Sequence, residues 1–239
     1  MDGRREALLG AAALALVGVA GIGAWRDRDA LPQTLPIASA PGFRRLVTGA
    51  PVSAGDLLTV GLDAEGGPEP VPADALCAAL FRDAGPGTPV ALFTDYRCPT
   101  CPALSSRLSG LGGPALAITW HEWPILGASS VFAARVALAA GMQGRHAEMH
   151  AYLMRRGLRP SRAGAQAAAE AVGAHGARLL DDMQDPAVDA RLEESAALAR
   201  RFGFRGTPAA VVGATEIEGL AGAALLRRIA AEGGGPCAA

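Results

Sequence analysis

The sequence of 239 residues contains no lysine, so all 22 of its basic residues are arginine, against 23 acidic residues. The formal net charge is −1, and the arginines form no concentrated run. Because binding to the phosphates of nucleic acid needs a concentrated cationic surface, this composition argues against a nucleic-acid partner. Half of the residues are hydrophobic, which is ample for the packed core of one large domain or two small ones.

Cysteine is also scarce, since the chain has only Cys77, Cys98, Cys101 and Cys237. Four cysteines are too few for a disulfide scaffold in a chain of this size. They fit one reactive pair, Cys98 and Cys101, plus a structural bridge between Cys77 and Cys237. They also fit an alternative in which the outer two are inert buried thiols. A zinc site built on the Cys98 and Cys101 pair would need a second pair of ligands, but His121 stands alone nearby. The sequence therefore predicts no metal.

The N-terminal segment lacks charge from residue 7 to residue 25, and Arg4 and Arg5 precede it. A helix needs ~20 apolar residues to span a bilayer, so this segment can just do so. Paired arginines before a weakly hydrophobic stretch are typical of a twin-arginine export signal, and an uncleaved inner-membrane anchor is the alternative. We therefore predict that residues 1–25 address the chain to the periplasm, a compartment that permits disulfides.

The remaining sequence predicts an α/β domain interrupted by helices. A β-α-β pattern, with strands at 89–94 and 115–123 around a helix at 98–108, indicates a parallel sheet. Further elements are expected as a strand at 57–62, a helix at 72–83, a hairpin over 208–218 and a helix at 221–231. The predicted organisation is a linker or lead-in at 26–56, a first sheet part at 57–128, a helical insertion at 129–202 and a second sheet part at 203–239.

Cys98-Pro99-Thr100-Cys101, next to that β-α-β pattern, is typical of a redox-active pair. The spacing places both sulfurs within disulfide reach on one helical turn. With Cys98 at the start of the helix, unpaired N–H groups and the helix dipole would lower its pKa below the ordinary ~8.5. Cys98 is then the expected nucleophile, and the deeper Cys101 resolves the mixed disulfide.

Three segments in sequence order carry a resemblance to a known family: Phe-Thr-Asp-Tyr-Arg-Cys-Pro-Thr-Cys at 93–101, Trp-Pro-Ile-Leu-Gly at 123–127 and Gly-Phe-Arg-Gly-Thr-Pro at 203–208. The chain resembles the DsbA-like branch of the thioredoxin superfamily over about residues 89–232. The resemblance implies a thioredoxin-like fold with an inserted helical subdomain. It also implies that Pro208 is a cis-proline facing the disulfide, with Thr207 held beside Cys98 to pair with a substrate strand.

The same resemblance implies an enzyme, a thiol-disulfide oxidoreductase without a bound cofactor. Its substrates would be exported proteins with thiols or disulfides, and a DsbB-like quinone-linked membrane oxidase would supply oxidising equivalents. Two alternatives stay open at this point. One is a reductase or isomerase kept reduced by a membrane electron donor. The other is a non-enzymatic, chaperone-like or metal-delivery module that uses the same groove.

The sequence departs from the family pattern at three positions. Many relatives carry a buried acid, which helps to move the proton of the resolving cysteine, where this chain has Leu92, so we predict Glu122 or Asp95 as its substitute. Thr100 stands where strongly oxidising members have histidine, which indicates a milder oxidant. Pro102 predicts a distorted first helical turn that becomes regular only after about Ala103.

His146 and His150 lie one helical turn apart, a spacing that is common on helix surfaces and that could also suit a metal. Since no third ligand is evident nearby, we interpret the two histidines as an ordinary surface pair without a function.

Overall fold

The computed structural model describes residues 32–47, 70–83, 85–111 and 116–237. The chain divides into two units, Met1–Gln33 and Thr34–Ala239, and the fold described below belongs to the second. The predicted export segment at 1–25 and the predicted strand at 57–62 lie outside the described residues. Within the described ranges, no helix is both long enough and apolar enough to cross a membrane.

Six strands of the described residues form one mixed sheet in the order β1-β2-β6-β5-β3-β4. Their bounds are β1 Thr34–Pro36, β2 Arg44–Leu46, β3 Thr88–Thr94, β4 Leu116–Glu122, β5 Ala209–Val212 and β6 Thr215–Glu218. β3 and β4 are parallel, as the β-α-β pattern predicts, whereas β5 is antiparallel to both β3 and β6. The apolar run of β3 is explained by its position between β5 and β4, where both of its faces are buried.

The helices of the described residues are α1 Leu76–Leu80, α2 Cys101–Ser109, α3 Ala128–Gly141, α4 His146–Arg156, α5 Arg162–Ala171, α6 Gly176–Asp182, α7 Pro186–Phe202 and α8 Ala223–Glu232. Helices α3 to α7 form the inserted helical subdomain. The bounds of α7 follow from local chemistry, because the Asp185 side chain accepts a 2.8 Å hydrogen bond from Ala187 N–H and Gly203 ends the helix at φ 70°. The predicted α/β domain interrupted by helices agrees with this architecture.

Two local predictions differ from the structure. Part of the segment predicted as a linker at 26–56 forms β1 and β2, which extend the sheet beyond β6. Buried Ile37 and Phe43 anchor this hairpin to the core, and strands of only three residues are too short to show a period. The helix predicted over 72–83 is confined to Leu76–Leu80.

Two hydrophobic clusters lie on either side of the segment that joins β3 to α2. The first packs on one face of the sheet and includes Phe43, Phe93, Phe202 and Phe204. The second lies among the helices of the insertion and includes Tyr96, from the loop after β3. Phe93 in β3 and Tyr96 in the loop after it thus anchor the start of this loop in the two clusters.

Candidate active site

The two cysteines of the Cys-Pro-Thr-Cys segment lie where β3 leads into α2. The sequence predicts a helix from Cys98, but α2 begins at Cys101, so Cys98 lies one turn before it. Pro102 occupies the first turn of the helix, where its missing N–H leaves no hydrogen bond unmade. Ala103 N–H donates to the Thr100 carbonyl at 3.1 Å, a three-residue spacing that agrees with the expected distortion of this turn.

The Cys98 sulfur is surrounded by groups that stabilise its thiolate. It accepts a hydrogen bond from Cys101 N–H at 3.2 Å and lies 3.4 Å from the Thr100 hydroxyl. Burial raises the pKa of Cys98, but the hydrogen bonds of Cys101 and Thr100 outweigh it and leave the pKa below the ordinary thiol value. The first residue of α2 thus points its N–H at this sulfur, a contact that favours the thiolate.

Cys101 has the opposite character. It is fully buried, and this burial raises its pKa far above the ordinary thiol value. Both cysteines are free thiols, so the structure represents the reduced form of the pair. Of the two sulfurs, Cys98 is therefore the better nucleophile and leaving group, whereas Cys101 has to lose a proton before it can attack.

A loop before β5 completes the surroundings of Cys98. The peptide bond between Thr207 and Pro208 is cis, as the family resemblance implies. The Thr207 carbonyl oxygen lies 3.3 Å from the Cys98 sulfur, and the Pro208 carbonyl accepts a hydrogen bond from Gly219 N–H at 2.8 Å. This loop therefore brings one main-chain carbonyl, that of Thr207, to the sulfur.

Asp95 holds two loops together. Its carboxylate is buried and accepts three main-chain hydrogen bonds, from Arg97 N–H at 2.7 Å and from Ile125 and Leu126 N–H at 2.9 Å each. The side chains of Ile125 and Leu126 remain about half exposed. Asp95 thus ties the segment after β4 to the redox loop, which places apolar side chains beside it.

We expect Asp95→Ala to lower the free energy of unfolding by about 2–3 kcal/mol, because it leaves buried main-chain donors without an acceptor. Urea denaturation of the reduced protein measures this loss. Asp95→Asn is the matched control, since its amide oxygen replaces part of the acceptor capacity and should recover part of the stability. An Asp95→Ala protein as stable as the unaltered chain would contradict the tying role.

Glu122 ends β4 and is buried in a polar cluster. Its Oε1 atom accepts a 2.7 Å hydrogen bond from the Tyr96 hydroxyl, and it lies 3.0 Å from His146 Nε2 and 3.9 Å from His150 Nδ1. Burial raises the pKa of Glu122, but the contacts with His146 and His150 outweigh it and lower the pKa to about 2. Glu122 is therefore an anion near neutral pH.

The two histidines of this cluster are not the surface pair that the sequence suggests. His150 is only 3% exposed, and its ring lies between the Tyr96 hydroxyl and Ser105. A signal was present, because positions 146, 149, 150 and 153 follow one stripe of α4, and Met149 and Leu153 are core residues. In the described parts of the chain, no group of three or more potential ligands has the arrangement of a metal site.

Comparisons with known proteins agree with this geometry. The family model described as DSBA-like thioredoxin domain matches residues 89–231. A thioredoxin-like oxidoreductase from Silicibacter pomeroyi DSS-3 is 34% identical, with a TM-score of 0.60 over 65% of this chain and 95% of that chain. A periplasmic thioredoxin-like protein from Salmonella enterica serovar Typhimurium is 27% identical, with a TM-score of 0.59 over 69% and 98%.

The thiol-disulfide exchange protein alpha-DsbA2 from Wolbachia pipientis shares the fold, at 21% identity and a TM-score of 0.58 over 66% of this chain and 96% of that chain. No curated protein sequence matches the chain.

Proposed function

Because this chain belongs to the DSBA-like thioredoxin domain family and is a thiol-disulfide oxidoreductase, we propose that it forms or exchanges disulfides in exported proteins. One observation carries the proposal: the Cys98 sulfur meets both the first N–H of α2 and the Thr207 carbonyl. The first contact favours a thiolate, and the second places the sulfur beside main chain that an extended substrate could pair with.

In the proposed oxidising direction, a substrate thiolate attacks Cys98 of the Cys98–Cys101 disulfide. A bond forms between the substrate sulfur and Cys98, and Cys101 leaves with the electron pair and takes up a proton. A second substrate thiolate then attacks the substrate sulfur of this mixed disulfide, and Cys98 leaves as a thiolate. The substrate loses two electrons and the pair gains them, which the lowered pKa of Cys98 favours because it makes Cys98 a good leaving group.

Exposed apolar side chains on the loops beside the cysteine pair favour unfolded chains as the proposed substrates. Ile125 and Leu126 are 42% and 50% exposed, and Leu220, which follows the residue bonded to the Pro208 carbonyl, is 45% exposed. An extended segment that lies across Thr207 could place its own apolar side chains on this surface. Folded proteins bury such segments, so the proposed substrates are chains that have not yet folded.

We further propose that the protein works in the periplasm after residues 1–25 have directed its export. The composition of that segment and the similarity to the periplasmic Salmonella protein support this location. A disulfide-permissive compartment also suits the Cys77–Cys237 bridge. A DsbB-like, quinone-linked membrane oxidase would restore the Cys98–Cys101 disulfide after each turnover.

Equilibration of the pair with glutathione tests the direction of exchange. We expect a potential clearly more oxidising than the roughly −270 mV of thioredoxin, and a value near −270 mV would instead indicate a reductase. Alkylation of the reduced protein at varied pH should show Cys98 reacting with a midpoint below that of an ordinary thiol. A midpoint at the ordinary value, together with failure to oxidise a reduced two-cysteine peptide, would indicate a binding module.

A further inference from the structure

Cys98 is reached only through a narrow opening between two loops. These are the redox loop, residues 95–100, and the cis-proline loop, residues 203–208. Cys98 is 5% exposed, and its sulfur lies 3.4 Å from the Thr100 hydroxyl and 3.3 Å from the Thr207 carbonyl. A substrate sulfur that bonds to Cys98 has to enter between the loops, so the residues that flank the substrate cysteine are brought against their side chains.

Two further segments beside this opening carry no charge. They are residues 123–130, which follow β4, and residues 219–222, which follow β6, and neither contains an acidic or basic residue. Their exposed large side chains are apolar, namely Ile125, Leu126 and Leu220. Charge beside the opening is therefore contributed by the redox loop, the cis-proline loop and the elements that support them.

Most charged side chains of these elements already have partners within the fold. Asp95 is buried, and its carboxylate accepts three main-chain hydrogen bonds. Glu218 of β6 accepts a 2.6 Å hydrogen bond from Arg205 N–H, and its other oxygen lies 3.5 Å from the Arg205 guanidinium. Arg107 of α2 donates to the Ala221 carbonyl at 2.7 Å. Both carboxylates and two of the arginines are thus engaged before a substrate arrives.

Arg97 differs from these residues. It directly precedes Cys98, so their Cα atoms lie ~3.8 Å apart. Its N–H donates to Asp95 Oδ1 at 2.7 Å, and Cys98 N–H donates to the Asp95 carbonyl at 3.1 Å, which fixes the backbone of both residues. Arg97 is exposed, and among the described residues no carboxylate lies within ion-pair distance of its guanidinium. A cation that leaves the backbone at a fixed point beside the reacting sulfur is thus available to a substrate.

The position of Arg97 strengthens an interaction that is ordinarily weak. An exposed ion pair contributes little, because two long side chains have to be held together in water. Here the bond between the substrate sulfur and Cys98 already holds the flanking residues of the substrate beside Arg97, so the pair forms within one assembly. A guanidinium also matches the two oxygens of a carboxylate. A flanking aspartate or glutamate is therefore attracted, whereas a flanking lysine or arginine is repelled.

We propose that Arg97 is a specificity-determining residue, and that it selects unfolded chains in which an acidic residue flanks the cysteine. This inference rests on the proposed function and names the substrate class of that same site. In the favoured step, a substrate thiolate attacks Cys98 of the Cys98–Cys101 disulfide. The bond between the substrate sulfur and Cys98 forms, the Cys98–Cys101 bond breaks, and Cys101 leaves with the electron pair and takes up a proton. Arg97 binds the flanking carboxylate and takes no part in the exchange of bonds.

Three reduced two-cysteine peptides test the proposal on the full chain. They differ only in the residue that follows each cysteine, which is glutamate, glutamine or lysine. Oxidised protein is mixed with excess peptide, and chromatography of acid-quenched samples gives the second-order rate constant for each peptide. We expect the ratio of the glutamate rate to the lysine rate to be about tenfold larger for the unaltered protein than for Arg97→Gln. Added sodium chloride should lower this difference, because it screens exposed charges.

Two further variants complete the test. Arg97→Glu should invert the preference, so that the lysine peptide reacts faster than it does with Arg97→Gln and the glutamate peptide slower. Arg159→Gln, at an exposed arginine between α4 and α5, changes the net charge of the chain as Arg97→Gln does and should keep the original preference. All of the proteins meet the same peptides, so the intrinsic reactivity of each peptide thiol cancels when their rate ratios are compared.

The outcomes separate this inference from the proposed function. Equal glutamate-to-lysine ratios for the unaltered protein and Arg97→Gln, or an equal change of the ratio in Arg159→Gln, would overturn the role of Arg97 and leave the oxidoreductase intact. A difference that salt does not lower would do the same. An unaltered protein that oxidises none of the three peptides would overturn the proposed function itself.

Discussion

Replacement of Cys98 by serine is expected to abolish disulfide exchange, with a loss of at least about a thousandfold. A serine hydroxyl is not ionised near neutral pH and cannot form the mixed disulfide. Cys101 cannot replace Cys98 as the nucleophile, because it is fully buried and this burial raises its pKa. Oxidation of a reduced two-cysteine peptide, followed by chromatography, measures the loss.

Cys101→Ser is the matched control for this prediction. In that variant Cys98 keeps the Thr100 hydroxyl and the main-chain N–H of residue 101, so its thiolate should still form. With a small disulfide it should therefore give a mixed disulfide that persists, whereas Cys98→Ser should give no adduct. Retention of exchange by Cys98→Ser, or an adduct on residue 101 instead, would contradict the assigned roles.

The parts of the site that are local in sequence could be predicted from the sequence. The run at 89–93 is apolar because β3 lies between two strands with both of its faces covered, and the three-residue spacing of Cys98 and Cys101 brings them together in any helical turn. Thr207 is separated from Cys98 by 109 positions in the sequence, and only the family motif predicted that the two meet. Spacing alone carries no information about such an approach.

The polar cluster shows why the remaining contacts could not be predicted. Glu122 and its partner His150 come from β4 and α4, and only the packing of the insertion against the strand decides that they meet. The sequence suggested Glu122 and Asp95 equally as acids near the pair. The two carboxylates differ in their partners, because main-chain N–H groups occupy that of Asp95, whereas the Tyr96 hydroxyl and the His146 ring contact that of Glu122.

The pairing of the outer cysteines was also left open by the sequence, which fits a bridge or two separate thiols. The structure joins Cys77 and Cys237 by a disulfide across a sequence separation of 160 residues, with 5.3 Å between their Cα atoms. It links α1 to the C-terminal segment, and Cys237 packs against the first hydrophobic cluster. The bridge thus closes residues 77–237 into one covalent loop, which leaves β1 and β2 outside it.

Removal of this bridge in the double variant Cys77→Ala and Cys237→Ala is expected to lower the free energy of unfolding by up to about 5 kcal/mol, because the reduced unfolded chain regains the entropy that the long loop removes. Urea denaturation, with Cys98 and Cys101 held reduced in both proteins, measures the difference. The rate of adduct formation at Cys98 should stay unchanged in the folded double variant, which separates stability from chemistry. A loss below about 1 kcal/mol would show that the bridge adds little to the stability of the folded chain, and it would then be no reason for this protein to need an oxidising compartment.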